Sequence, residues 1–94
     1  MFRRVITSSA KKTLKRLSVQ AQHALLEETE ILIEDPFAGE RLHGALSFLY
    51  SFHFKFENVH YRVAYSVDRD QKLIMIHLVG PRENFYDRLL RMFR

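Results

Sequence analysis

The sequence predicts an α+β domain of element order β-α-α-β-β-β-α: a mainly antiparallel four-stranded sheet, with helices packed on one face and a short C-terminal helix. Three observations lead there. Apolar residues recur at helical spacing from Ala10 to Leu32, strict alternation sets in at Phe48, and a second helical pattern follows the break at Gly80-Pro81.

"FRRVIT" alternates apolar with charged or polar residues and reads as a first strand. Ser8 or Ser9 can cap a helix carrying Ala10, Leu14 and Leu17, and Ser18 can cap a second helix that runs to Glu34, where Pro36 stops it. From Phe48 to Phe56 every even position is aromatic, while Ser51, His53 and Lys55 lie between them, which marks a strand with one apolar and one polar face. "YRVAYSV" alternates in the same way, "DRDQ" is a polar turn, and "KLIMIHLVG" is apolar enough for a strand covered on both faces. "RENFYDRLLRMF" places Phe85, Leu89, Met92 and Phe93 on one side of a final helix.

With 94 residues and 47% hydrophobic content, the chain is expected to form one domain over residues 1–94 around a single core. The absence of cysteine excludes disulfide and thiolate chemistry and suits a reducing cytoplasm. No stretch resembles a signal peptide or reaches the roughly 18 apolar residues of a membrane span, so a soluble cytoplasmic protein is expected. The net charge of +4 is unevenly spread. Lys11, Lys12, Lys15 and Arg16 form a basic run near the N-terminus, residues 21–40 hold acids without cations, and Arg82, Arg88, Arg91 and Arg94 return near the end. Such cations either hold a polyanion or are simply solvated.

A hairpin across "ENVH" is expected to pair Lys55 with Arg62 and His53 with Ala64, through a two-residue turn at Asn58-Val59 or, better, a four-residue loop. Phe52, Phe54, Phe56, Tyr61, Val63 and Tyr65 then share the face under the helices. Ser51, His53, Lys55, Glu57, His60 and Arg62 share the other. Like charges directly opposed are unfavourable unless an anion lies between them, so this face reads either as solvated charge or as an anion site. Arg82 and Tyr86, four residues apart, would share a helix face overlooking it. His53, Glu57 and His60 show no recognised ligand spacing, and neither metal nor cofactor is expected.

A helix ending "EDPF", the segment "RLHGALSFLYSFHFKF", the strand "HYRVAYSV" and "IMIHLVGPRENFY" before a final helix together resemble the RelE/ParE toxin superfamily of bacterial type II toxin–antitoxin systems. The resemblance spans nearly the whole chain in element order. It implies a toxin partnered by a cognate antitoxin. On the RelE-like side it further implies a ribosome-dependent endoribonuclease (an mRNA interferase) binding mRNA and the ribosome and blocking translation. ParE-like members instead inhibit DNA gyrase, and a non-catalytic, antitoxin-binding member is a third reading. The RelE-type pattern falls on Lys55, Arg62, Arg82 and Tyr86. His53 stands where a second lysine is common, and Arg82 and Tyr86 are closer together than in some members. The expected catalytic set is therefore His53, Lys55, Arg62, Arg82 and Tyr86. Lys11, Lys12, Lys15, Arg16, Arg88 and Arg91 are expected to grip RNA backbone. Cleavage of this kind uses the 2′-OH as nucleophile and needs a base, an acid and cations around the phosphate, but no metal.

Overall fold

The computed structural model describes residues 1–94. Strand β1 (Arg3–Ile6) leads into helix α1 (Ser8–Leu14), followed by α2 (Val19–Glu28), the single turn α3 (Ile31–Glu34) and the two-residue strand β2 (Glu40–Arg41). A 3-10 turn (Gly44–Leu46) precedes β3 (Tyr50–Phe56), β4 (Val59–Asp68), β5 (Leu73–Pro81) and helix α4 (Phe85–Phe93). The sheet has five strands in the order β1-β5-β4-β3-β2; β1 runs parallel to β5 and every other pair is antiparallel. The strand beyond the expected four is β2, too short to leave a periodic signal.

The cap of α1 is Thr7 rather than Ser8 or Ser9: its Oγ1 accepts from the Ala10 amide at 3.2 Å while its hydroxyl donates to the Ile76 carbonyl at 3.0 Å. One side chain thus ends β1, starts α1 and ties both to β5. Ser18 caps α2, as its position predicts. The helix does not continue unbroken to Glu34. The Thr29 hydroxyl donates back to Leu25 O at 2.8 Å and the Arg4 guanidinium takes Leu26 O at 2.7 Å. Helical carbonyls are thereby satisfied from the side, and the chain tightens to three-residue bonds from Glu30 to Glu27 and from Leu32 to Thr29 before α3.

The aromatic face of β3 and β4 lies under α1 and α2, as the alternation predicts. Phe54, Tyr61, Val63 and Tyr65 join Ala10, Ala21, Leu25, Ile74 and Ile76 in one buried cluster. A second cluster forms on the opposite face, where Phe85 and Leu89 of α4 meet Ala64, Leu78, Leu46 and Leu49. A bulge at Ala64/Tyr65 shifts the β4–β5 register. Residues of β5 therefore serve both cores, Ile74 and Ile76 on one side and Leu78 on the other.

The hairpin register is a correction. Phe56 pairs with Val59, so the turn is Glu57-Asn58, and both residues take left-handed φ (48° and 65°). His53 therefore opposes Arg62, and Lys55 opposes His60. A β-branched residue suits the left-handed region badly, so Val59 stays in the strand and Glu57 carries the strained conformation instead. The shift is two residues, and each side chain keeps its expected face.

Candidate active site

Residues directly opposed across a sheet share a face, so the register lays out the surface opposite α1 and α2 in rows. One row is Glu40–Ser51–Ala64–Leu78 and the next is His53–Arg62–Gly80. The third is Lys55–His60, at the hairpin end. Helix α4 lies along one side of this surface and brings Tyr86 over it.

A chain of contacts runs through the first two rows. The Ser51 Oγ is 3.0 Å from His53 Nε2, Arg62 Nη1 is 3.2 Å from the same nitrogen, and Arg62 Nη1 also donates to the Tyr86 hydroxyl at 3.1 Å. The guanidinium carbon stands 5.4 Å from the centre of the Tyr86 ring. A guanidinium has only donors, so Nε2 of His53 presents its lone pair and the ring is neutral with its proton on Nδ1. Burial pushes the His53 pKa below 6.5, the Arg62 charge lowers it further, and Glu40 works in the opposite direction. The arrangement is a neutral imidazole beside a fixed cation, with a phenol on the cation's far side.

The cations here lack acidic partners. The molecule's one ion pair joins Arg4 to Glu30 at 3.8 Å, away from this face. Of the expected catalytic residues, His53, Arg62 and Tyr86 converge. Lys55 lies on the same face two residues from His53, exposed and without a side-chain bond. Arg82 does not share a helix face with Tyr86. Asn84 turns left-handed (φ 58°) and α4 starts only at Phe85, which leaves Arg82 in the connecting loop. Its amide donates to His60 O at 3.1 Å, so Arg82 flanks the hairpin end beside Lys55 and His60. No three metal-ligating side chains cluster, and His53 and His60 lie in different rows.

Of the residues expected to grip RNA, Lys12, Arg16, Arg88 and Arg91 line one groove between α1 and α4, over the edge of β5 that β1 leaves free. Lys11 on α1 and Lys15 just past its end are exposed and lie outside that lining. A Cβ at Gly80 would lie 3.0 Å from an Arg88 guanidinium nitrogen, a contact that the flexible end of that side chain can relieve. Sequence reasoning passed over Ser51 and Glu40. Ser51 reads as one more polar residue on a wet face, and only the pairing of β2 reveals that it is covered.

A family model described as ParE-like toxin of type II bacterial toxin–antitoxin system matches residues 5–90. The chain belongs to this family. Its fold is shared with solved RelE structures. The toxin–antitoxin complex RelBE2 from Mycobacterium tuberculosis is 23% identical, with 86% of this chain and 98% of that chain covered at a TM-score of 0.77. A mutant E. coli RelE toxin in the free state is 16% identical, with 99% and 98% covered, also at 0.77. The archaeal RelE–RelB complex from Pyrococcus horikoshii is 28% identical, with 87% and 96% covered at 0.64. No curated protein matches this ParE-like toxin in sequence. No helix is long and apolar enough to cross a membrane.

Proposed function

We propose that this toxin is an endoribonuclease of the RelE kind, cutting mRNA on the ribosome by attack of a 2′-OH on the adjacent phosphate. The observation that carries the reading is the Arg62 guanidinium, held between His53 Nε2 and the Tyr86 hydroxyl with no carboxylate to neutralise it. A planar, unpaired guanidinium between a neutral base and a phenol fits a phosphodiester in the act of transfer. Arg62 binds the non-bridging oxygens and stabilises the charge of the phosphorane. His53, neutral near pH 7, accepts the 2′-OH proton; the P–O5′ bond then breaks to leave a 2′,3′-cyclic phosphate, and the 5′-oxygen takes its proton from water. Tyr86, 43% exposed, stacks on a base or orients the hydroxyl. Lys55 and Arg82 flank the hairpin end and neutralise neighbouring phosphates. The groove of Lys12, Arg16, Arg88 and Arg91 grips RNA backbone beyond the reacting bond, with Lys11 and Lys15 adding charge beside it.

A cognate antitoxin is assigned as partner because solved relatives include toxin–antitoxin complexes. A cytoplasmic toxin acting on translating ribosomes completes the reading. Its test is expression of wild type and Arg62→Ala, with mRNA 5′ ends mapped on translating ribosomes. Codon-positioned cuts should appear with wild type and fall about a hundredfold or more in the variant, the usual cost of one charge-stabilising group. DNA breaks or lost supercoiling without such cuts would mark a gyrase inhibitor of the ParE type.

A further inference from the structure

We propose that the recess beside His53 selects guanine, holding the base of the nucleotide whose 2′-OH attacks; the proposal rests on the ribonuclease reading and names the base 5′ of the cut. The recess lies at the sheet edge where β2 stops, lined by Ala38, Gly39, Glu40, Ser51, Phe52 and His53. The Leu42 amide donates to Leu49 O at 2.9 Å, so by alternation Glu40 and Ser51 are the next hydrogen-bonded pair, and Ala38 and His53 would be the one after. That last pair does not form. The Ala38 amide turns to Asp35 O at 3.1 Å and β2 starts only at Glu40, which leaves the His53 N–H and C=O facing the recess. Glu40 stands opposite Ser51 and so shares the face of His53; it is exposed and in no ion pair.

Arg62 on β4 and Glu40 on β2 flank the His53 ring from opposite sides, and their charges act on it in opposite directions. A phosphate is drawn to Arg62 and repelled by Glu40. With the phosphate on Arg62 and the 2′-OH at the ring, the ribose turns its base towards β2. The groups waiting there are a backbone donor, the His53 amide, and a carboxylate, which has only acceptors. The Watson–Crick edge of guanine presents one acceptor and two donors in that order: O6, N1–H and N2–H. O6 takes the amide, and the two N–H groups fork onto the carboxylate. Adenine and cytosine set a ring-nitrogen lone pair where guanine has N1–H, and uracil sets O2 or O4 beside its single N–H. Each of them turns a lone pair against the carboxylate.

The test uses the full chain and ribosomes programmed with four messages that differ only in the nucleotide 5′ of the cut. Wild type should cut the guanine message about ten- to a hundredfold faster than the others, the scale of one forked base contact. Glu40→Gln, its folding checked by thermal melting, should bring the four rates to within about threefold of one another, because a carboxamide turns a donor towards one of guanine's own. The ratio between messages removes whatever Glu40 does to the basicity of His53, which is common to all four. A wild type without preference for guanine, a preference that survives in Glu40→Gln, or an equal fall on all four messages overturns the proposal and leaves the ribonuclease reading standing. If wild type cuts no message, that reading falls, and the recess is judged by titrating guanosine, adenosine, cytidine and uridine 3′-monophosphates into 15N-labelled toxin. The His53 amide should shift with the guanine nucleotide at the lowest concentration and lose that order in Glu40→Gln. Equal responses to all four overturn guanine selection, and no response overturns it too, marking the edge as a seat for a peptide strand instead.

Discussion

Removing one oxygen from Tyr65 tests how the site's edge is held. The side chain is fully buried, its hydroxyl donates to the Pro36 carbonyl at 2.8 Å and accepts from the Gly39 amide at 3.0 Å, and its ring stacks on Tyr50 at 5.5 Å. Gly39 is pressed so closely that a Cβ there would lie 2.7 Å from the Tyr65 hydroxyl and 2.8 Å from the Ser51 carbonyl. Tyr65→Phe keeps the ring and the packing but strands one backbone donor and one acceptor. At about 1 kcal/mol or slightly more for each lost partner, the cost is about 2 kcal/mol. For a domain of this size that lowers Tm by about 10 °C. Urea denaturation should show a lower midpoint at unchanged slope, since the surface exposed on unfolding is the same. Burial also pushes the Tyr65 phenol up to about 12. Above pH 10 the unfolded chain therefore loses this proton first, and stability falls as pH rises. Phe at this position removes that alkaline limb. A loss under about 0.5 kcal/mol would refute the pinning, because an uncoupled surface change costs no more than that.

The turn offers a gain in stability. Glu57 adopts φ 48° at the first turn position, where asparagine is better suited, so Glu57→Asn should raise Tm by several degrees, about 1 kcal/mol, in calorimetry. Acid should weaken the fold through His53 and His77, whose pKa values burial lowers from 6.5. As pH falls below that value the unfolded chain takes up these protons first, so stability drops. His77→Gln, which can still reach Ser66, should flatten that limb in melts recorded across the acid range. Within the site, Arg62→Ala should lower mRNA cutting about a hundredfold or more, while Arg82→Ala should weaken it less, with a deficit that shrinks at high salt, as expected when one backbone phosphate contact is lost; end mapping at two ionic strengths separates the two.

Faces were legible in the sequence, but partners across the sheet were not. The alternation of Phe52, Phe54 and Phe56 against His53 and Lys55 fixes which side of β3 is wet whatever the register, because a shift of two residues preserves it. The pairing itself depended on whether Glu57 or Val59 would take the left-handed turn position, a difference of about 1 kcal/mol that a single sequence weighs poorly. Thr29 looked like another helical residue, and its break becomes visible only when Arg4 arrives from β1 to take the Leu26 carbonyl. Likewise, the spacing of Arg82 and Tyr86 suggested one helix face, and the left-handed Asn84 undoes it. His53, Arg62 and Tyr86 could be named from pattern and resemblance. Ser51 could not, since its burial comes from a two-residue strand paired across Glu40.

The most direct measurement of the central claim uses the purified toxin and ribosomes programmed with mRNA carrying a single 2′-deoxy nucleotide at the cut position. If His53 takes a proton from the attacking 2′-OH while Arg62 holds the phosphate, the all-ribose message is cut to a 2′,3′-cyclic phosphate end and the 2′-deoxy message stays intact at that bond. Cutting of the 2′-deoxy message at an equal rate, or failure to cut the all-ribose one, would contradict it.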